Sequence, residues 1–376
     1  MSIYKQIYRV GIFITFSLFL FGCSGEVISK FDDLQTIGGY KNVILMIGDG
    51  MGENHLKVLE AYNEKSSFIR QDAEISGFMK TKSLTSNITD SAASATSMST
   101  GLKVPNGYIA FKSGQKLTNM SEFAHAYGKG IGLVATETLS GATPAAFSAH
   151  NRSRKNTEQI VSEQFQGPID VFVGAGKSYY DEKVSDMNNN NLSYYTSFDR
   201  LSSDIDNFVN ETERPFTRFL ASFSSISTTI SSDAGPTLED ASLAAIRYLD
   251  HAYKDQGFFL MIEGSHIDKR AQDGDLMGMI EQLNGFDKAT RAVVNWAREV
   301  GDTFVMVTAD HETGGLSYNN QSKLELSNEL FSTTGHTAVD VPFYIYNTEN
   351  LSFLNSGETI DNTDVAKIYR AIIRNI

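Results

Sequence analysis

The chain has 376 residues, of which 20% are charged and 41% hydrophobic, a composition typical of a folded globular protein. Its formal net charge of -13 argues against non-specific nucleic-acid binding, which needs a basic surface, so no nucleic-acid partner is expected. The charge does not exclude an anionic substrate, because bound divalent cations would reverse its sign locally.

The N-terminus has the pattern of an export signal. A basic start precedes an almost wholly apolar stretch from Val10 to Gly22, about half of the ~20 residues needed to span a bilayer. It ends in Leu20-Phe-Gly-Cys23, which resembles the lipobox of a bacterial lipoprotein signal. We predict a signal peptide over 1–22 and a lipid anchor at Cys23 that holds the protein to a membrane of the bacterial cell envelope, periplasm-facing or at the surface. An ordinary secretory signal is the alternative.

Beyond a predicted tether over 23–40, residues 41–376 show the alternation of strands and helices of a single α/β domain. This alternation predicts a mainly parallel central sheet with helices on both faces. Residues 177–235 are rich in Ser, Asn, Asp and Tyr and predict a loop-rich surface insertion with one or two short helices. Apolar runs predict buried strands at 42–48, 132–136, 170–173, 258–262 and 304–309, and helical spacing or caps predict helices at 118–127, at 237 to about 253 and from 276 to Gly301.

Three of the predicted strands end in an acid. Asp49, Glu263 and Asp310 each follow an apolar run, and His311 comes next in the chain. In open α/β sheets ligands bind just outside the carboxyl ends of the strands. Three carboxylates delivered to that edge are best explained by bound cations.

The run Ser91-Ala-Ala-Ser-Ala-Thr-Ser-Met-Ser-Thr100 is built from small residues and stops at Gly101. As a helix, it would place Ser91 in the first turn, where free N–H groups and the helix dipole favour an anion. A serine hydroxyl needs a base or a metal to become a nucleophile, and no histidine lies nearby in sequence. A metal is therefore the more natural activator, although such a run alone is more often only a helix of small residues.

Six stretches together resemble the alkaline phosphatases and occur in that family's order. The resemblance runs from about Asn42 to His336 and is poor over 177–235. It implies an alkaline-phosphatase-like α/β fold and the hydrolysis of phosphate esters. The matching stretches are Ile47-Gly-Asp-Gly-Met-Gly52, Thr89-Asp-Ser-Ala-Ala-Ser-Ala-Thr96, Ala142-Thr-Pro-Ala-Ala146, Glu263-Gly-Ser-His-Ile-Asp268, Thr308-Ala-Asp-His311 and Gly335-His-Thr337.

The resemblance also implies a role for each matched residue. Ser91 is similar to the nucleophile that becomes phosphoserine, and Arg154 falls where the family places its phosphate-binding arginine. Lys269 matches members in which a lysine reaches the phosphate or the magnesium site through water. The implied metal ligands are Asp49, Asp310 and His311 for the Zn²⁺ that activates the serine, Asp268 and His336 for a second Zn²⁺, and Asp49, Thr143 and Glu263 for Mg²⁺. Mixed Asp/His sets suit zinc and all-oxygen sets suit magnesium.

Two positions depart from the family pattern. Gln272 stands where the family has a histidine that ligates the second zinc, four residues after Asp268. Because a carboxamide is a weaker ligand than imidazole, we expect this site to hold zinc less tightly and to accept manganese, cobalt or magnesium. Asp273 or His266 could compensate. Gly141 stands where members carry Asp or His near the magnesium, which leaves room for a water ligand.

The leading interpretation is a phosphomonoesterase that acts on small phosphate esters through phosphoserine. A phosphodiesterase of the same superfamily and an inactive phosphate-binding lipoprotein remain alternatives, the second because of Gln272. A sulfatase is disfavoured, since Ser91 is not followed by the x-Pro-x-Arg pattern that sulfatases need. Only 24 residues separate His311 from His336, so the crown insertion is reduced and the protein is expected to be a monomer or a homodimer.

Overall fold

The computed structural model describes residues 29–374, except residues 33, 35, 212–216, 227–234, 321, 349–350 and 352. The predicted signal peptide over 1–22 and the predicted lipidation site Cys23 lie outside the described residues. None of the helices in the described ranges combines the length and the apolar character that crossing a bilayer requires.

Strands and helices alternate along most of the described chain. The strands are β1 (Asn42–Gly48), β2 (Ile75–Lys80), β3 (Phe111–Lys112), β4 (Gln115–Lys116), β5 (Gly130–Thr138), β6 (Val171–Ala175), β7 (Ser193–Tyr195), β8 (Phe219–Phe223), β9 (Phe258–Gly264), β10 (Thr303–Thr308), β11 (Glu312–Thr313), β12 (His336–Thr337), β13 (Val341–Tyr346) and β14 (Thr359–Asp361). The helices are α1 (Glu53–Asn63), α2 (Phe68–Gln71), α3 (Ser91–Thr100), α4 (Met120–Ala126), α5 (Ala142–Ala146), α6 (Thr157–Gln166), α7 (Lys177–Asp181), α8 (Val184–Asn189), α9 (Phe198–Glu211), α10 (Leu238–Ala252), α11 (His266–Gln272), α12 (Leu276–Val300) and α13 (Asn362–Ile373).

Within the described residues, ten strands form one sheet in the order β14-β2-β13-β10-β1-β9-β5-β6-β8-β7. Every neighbouring pair from β10 to β7 is parallel, and β13 runs antiparallel to both of its neighbours. The predicted mainly parallel sheet is therefore confirmed. Strands β1, β9 and β10 lie side by side, so their carboxyl ends share one stretch of the sheet edge.

Helices cover the sheet on both faces, as two consecutive residues of β9 show. Phe258 packs against Trp296 of α12, and Phe259 packs against Tyr369 of α13 and Phe147 after α5. Because successive side chains of a strand point to opposite faces, these helices lie on opposite sides. All seven residues of β9 are buried, as expected for a strand covered twice.

Several predicted helix ends are confirmed. Helix α10 begins after Thr237, whose side chain forms a capping box with Asp240. Helix α12 ends at Gly301, which has a left-handed φ of 80°. The helix predicted from Thr118 is shorter, because Asn119 rather than Thr118 accepts a hydrogen bond from the Glu122 amide and so sets its start.

The predicted loop-rich insertion over 177–235 is more regular than expected. Its described residues include three helices, α7 to α9, and β7 and β8 extend the central sheet to its edge. All five residues of β8 are buried, and Leu201, Ile205 and Phe208 of α9 are buried at helical spacing. The region is therefore one end of the sheet, because these apolar positions pack on it despite their polar neighbours.

Part of the predicted tether packs on the domain. Phe31, Ile37 and Tyr40 are buried, and the Phe31 ring makes an edge-on contact with Phe353. The Ile37 amide donates to the Ala371 carbonyl at 3.0 Å. The described residues from 29 onward are thus docked against the domain rather than extended away from it.

Candidate active site

Three neighbouring strands deliver acidic residues to the same edge of the sheet. Ile47 of β1 is in register with Glu263 of β9 and with Thr308 of β10. Asp49 and Asp310 each lie two residues further along, so they extend just beyond the strands. The three carboxylates meet at this edge because parallel strands end together.

Ser91 lies at the first position of α3, above this edge. The Asp90 side chain caps the helix by accepting a hydrogen bond from the Ala93 amide at 3.0 Å. All ten residues of α3 are buried, which their small side chains allow, because α3 packs closely against α5 and α13. The Ser91 Oγ lies 3.2 Å from Nε2 of His311. The serine hydroxyl is therefore held at a helix N-terminus beside the acidic cluster.

Asp49, Asp310 and His311 form a first donor cluster, with one ligand atom from each within 4.8 Å of the others. The Nε2 of His311 lies 3.2 Å from Oδ2 of Asp310 and 3.5 Å from Oδ1 of Asp49. All three residues are buried. Two carboxylates and an imidazole converging in this way match the chemistry of a zinc site.

A second donor cluster consists of Asp268, His311 and His336, again with one ligand atom from each within 4.8 Å of the others. His336 arrives there because β11 pairs with β12, which places Thr313 opposite His336. Its ring stacks on that of His311 with the centroids 3.5 Å apart. His311 therefore borders both clusters, although the sequence assigned it only to the first.

Gln272 reaches the second cluster from the end of α11. Its Nε2 donates to Oδ2 of Asp268 at 2.9 Å and lies 3.3 Å from Nε2 of His336. His266 and Asp273, which could have compensated for the missing histidine, belong to neither of the donor clusters found among the described residues. Gln272 therefore lies where a further ligand of the second cluster would reach.

Thr313 was missed by the sequence interpretation. Its hydroxyl donates to Oδ1 of Asp268 and lies 3.2 Å from Nδ1 of His311, so it links the two clusters. Its position directly after Asp310-His311-Glu312 is the signal that could have pointed to it. A hydrogen bond at Nδ1 orients the imidazole and leaves Nε2 facing Ser91 and the carboxylates.

A third set of oxygens lies around Asp49, Thr143 and Glu263. Among the described residues, nothing hydrogen-bonds to Oδ1 of Asp49, Oγ1 of Thr143 or Oε2 of Glu263, although all three atoms are buried. Oδ2 of Asp310 is likewise buried without a hydrogen bond from any described residue. Buried polar atoms nearly always have a partner, so these orphaned oxygens fit a cation bound between them. An all-oxygen set is the kind that magnesium takes.

The electrostatics of the site favour bound cations. Burial, with the charge of Asp310 next, raises the pKa of Asp49 well above its ordinary value. Burial, with Glu137 next, raises the pKa of Glu263 to about 8. Burial, helped by His336, lowers the pKa of His311 to about 3. The carboxylates therefore lack compensating charge, and His311 is neutral, the form that ligates metal.

Arg154 lies at the rim of the site. Its Nη1 is 3.3 Å from Oδ2 of Asp90, and its side chain is 38% exposed. Its positive charge opposes the rise that burial causes in the pKa of Asp49 and adds slightly to the fall that burial causes in the pKa of His311, so the guanidinium lies near the first cluster. Asp90, which the sequence interpretation did not assign to the site, thus orients both the helix of Ser91 and the arginine.

Lys269 lies farther out, where its Nζ pairs with Oε1 of Glu137 at 2.7 Å. Gly141 begins α5 at its N-cap. A Cβ placed on Gly141 would lie 3.9 Å from the carboxyl carbon of Glu137 and 3.0 Å from the Thr138 carbonyl. The space next to Gly141 is therefore bordered by a carboxylate that the sequence had not singled out.

Comparisons with known proteins point to one family. The sequence model of the alkaline phosphatase family matches residues 40–349. Alkaline phosphatase 4 of Bacillus subtilis (strain 168) is 35% identical over 74% of this chain, a match that spans 62% of that protein, and alkaline phosphatase 3 of the same strain is 29% identical over 89% of this chain and 90% of its own length.

Solved structures agree as well. A histidine-to-glutamate variant of the alkaline phosphatase from the Antarctic bacterium TAB5, with magnesium bound in its M3 site, superposes with a TM-score of 0.72 at 26% identity and covers 89% of this chain and 99% of that one. The chain therefore belongs to the alkaline phosphatase family of phosphomonoester hydrolases.

Proposed function

We propose that this protein hydrolyses small phosphate monoesters through a phosphoserine on Ser91. The observation that carries the proposal is the position of the Ser91 Oγ, at the N-terminus of α3 and 3.2 Å from His311 in the first donor cluster. Zn²⁺ in the two Asp/His clusters and Mg²⁺ at Asp49, Thr143 and Glu263 would lower the pKa of the serine hydroxyl and neutralise the phosphate oxygens.

The chain's own residues define the rest of the reaction. The Ser91 hydroxyl releases its proton to water, and its Oγ attacks phosphorus as the bond to the ester oxygen breaks; the leaving alkoxide takes a proton from water. A water molecule then attacks the phosphoserine, releases inorganic phosphate and restores the hydroxyl. The planar guanidinium of Arg154 binds two phosphate oxygens, and Asp90 holds it in place. The N-terminus of α3 adds favourable dipole interactions with the anion.

Turnover of an aryl phosphate tests the proposal. The assay is run with Zn²⁺, Mg²⁺, Mn²⁺ and Co²⁺. We expect the unmodified protein to turn over the substrate with at least one of these metals, and the Ser91→Ala variant to show no turnover with any of them. Ser97→Ala is the matched control, because Ser97 lies in the same helix and its hydroxyl donates to the Ala93 carbonyl of that helix. Phosphate binding without turnover with any of these metals would overturn the proposal, and faster turnover of a diester would identify a phosphodiesterase instead.

The proposed location is the bacterial cell envelope, through a lipid on Cys23. There the enzyme would release phosphate from organic esters that do not cross the inner membrane. The test is incorporation of labelled palmitate together with membrane fractionation. We expect both label and membrane association to be lost in Cys23→Ala, and an unlabelled protein in the soluble fraction would refute the anchor.

A further inference from the structure

Glu137 is a carboxylate at the active-site edge of the sheet that neither the family resemblance nor the comparisons assign a role. It lies near the end of β5, the strand next to β9, and Ala135 of β5 is in register with Glu263. Glu137 is therefore delivered to the same edge as Glu263, one strand further along.

Two independent observations point to a cation between these residues. Oε2 of Glu263 and Oγ1 of Thr143 are buried, and no described residue hydrogen-bonds to them. Glu263 and Thr143 are only 3% and 1% exposed. The carboxyl carbon of Glu137 lies 3.9 Å from a Cβ built on Gly141, two residues before Thr143. Two carboxylates on neighbouring strands thus lie beside a hydroxyl, an arrangement that a divalent cation stabilises.

The position of Glu137 explains how the site tolerates glycine at 141. The side-chain space next to Gly141 is bordered by the Glu137 carboxyl group, 3.9 Å from a Cβ built there. The cation that now pairs with Glu137 is Lys269, whose side chain is 47% exposed and flexible. An exposed ion pair of this kind contributes little and can open easily.

We propose that Glu137 supplies a further carboxylate to the Mg²⁺ held by Asp49, Thr143 and Glu263, and that Lys269 competes with the metal for it. The inference rests on the third metal site of the proposed function. It assigns to this chain a ligand drawn from β5 in place of a side chain at position 141.

Calorimetric titration of Mg²⁺ into the zinc-loaded full-length protein tests the inference independently of turnover. We expect Glu137→Gln to weaken Mg²⁺ binding by roughly 10-fold or more, the lower range for residues that support a metal site. Lys269→Met should tighten binding. Glu158→Gln is the matched control, because Glu158 forms a surface ion pair with Lys183 at 2.5 Å outside the metal site. This variant should bind Mg²⁺ with the affinity of the unmodified protein.

A rescue variant guards against a folding artefact. Aspartate suits the N-cap conformation at Gly141, and its Cβ needs only a small shift away from the Thr138 carbonyl. Glu137→Gln combined with Gly141→Asp should therefore recover Mg²⁺ affinity. Equal Mg²⁺ affinity in the Glu137→Gln variant and the unmodified protein would overturn this inference alone. Failure of the unmodified protein to bind Mg²⁺ would overturn the third site together with it.

Discussion

Replacing Gln272 by histidine should give the second donor cluster its missing strong ligand. Asp268 and Gln272 lie four residues apart in α11, so both side chains lie on one face of the helix. The Gln272 amide already lies 2.9 Å from Asp268 and 3.3 Å from His336. An imidazole at position 272 therefore reaches the same point without movement of the backbone.

The expected gain follows from the change in ligand number. In the unmodified protein a zinc ion at this cluster has Asp268 and His336 as strong ligands, with His311 shared between clusters. Adding one imidazole nitrogen should tighten zinc binding at the second cluster by roughly 100-fold, since even indirect supports of metal sites change affinity by about 10- to 100-fold. At about 1.4 kcal/mol per factor of ten, this corresponds to ~2.8 kcal/mol. The preference for Mn²⁺, Co²⁺ or Mg²⁺ should fall accordingly.

Competition with a chromophoric zinc chelator measures this directly, with zinc content per chain as a second reading. Gln256→His is the control, because Gln256 is exposed in a turn outside the site and tests for unspecific binding by an added histidine. Full occupancy of two zinc sites in the unmodified protein, with no gain in affinity from Gln272→His, would refute the reasoning.

Three further predictions follow from the site and its surroundings. Ser91→Ala should leave no phosphoserine detectable by mass spectrometry after incubation with substrate at acidic pH, and a phosphorylated variant would place the nucleophile elsewhere. Arg154→Lys should raise the dissociation constant for inorganic phosphate by roughly 10-fold or more, because one charge-assisted bond of the fork is lost; an unchanged constant would remove Arg154 from the phosphate site. Burial lowers the pKa of His150, but hydrogen bonds and charges from Glu122 and Glu163 overcome this and raise it to about 9. A folded-state pKa above the unfolded value stabilises the fold fully below about pH 6.5, and the contribution is lost as the pH rises through about 9. His150→Gln should thus lower the free energy of unfolding by roughly 1–2 kcal/mol at neutral pH. This is less than the whole pKa shift would give, because solvent screens the partly exposed carboxylates. Above about pH 10 the variant should lose little free energy of unfolding. Urea unfolding at both pH values checks this, and an equal loss at both would contradict it.

The centre of the fold could be predicted because buried parallel strands appear as unbroken apolar runs. Strands β1, β9 and β10 each end one or two residues from an acid, so the sheet edge and its carboxylates were visible in the sequence. The outer end of the sheet was not, since β7 and β8 lie in a polar stretch and become strands only by pairing with β6 and with each other.

The parts of the site that the sequence did not reveal depend on contacts between distant residues. Thr313 meets Asp268, and Glu137 meets Lys269, only after the strands and helices are assembled. Asp90 could be identified as a helix cap, but its contact with Arg154 depends on the path of the loop after α5. The place of Thr313 directly after Asp310-His311-Glu312 was a signal in the sequence, but no spacing marks Glu137 or the contact of Asp90 in advance.

The two-residue ribbon of β11 and β12 has a consequence for how the protein would lose its metals. Asp49, Asp310 and His311 are anchored in the buried edge of the sheet, whereas His336 is partly exposed on the outer strand of the ribbon. A cation at the second cluster would connect these two parts and stabilise the position of the ribbon. Chelation should therefore remove the cation of the second cluster first. Its loss should let the pairing of β11 and β12 open, while the ion at the first cluster stays bound.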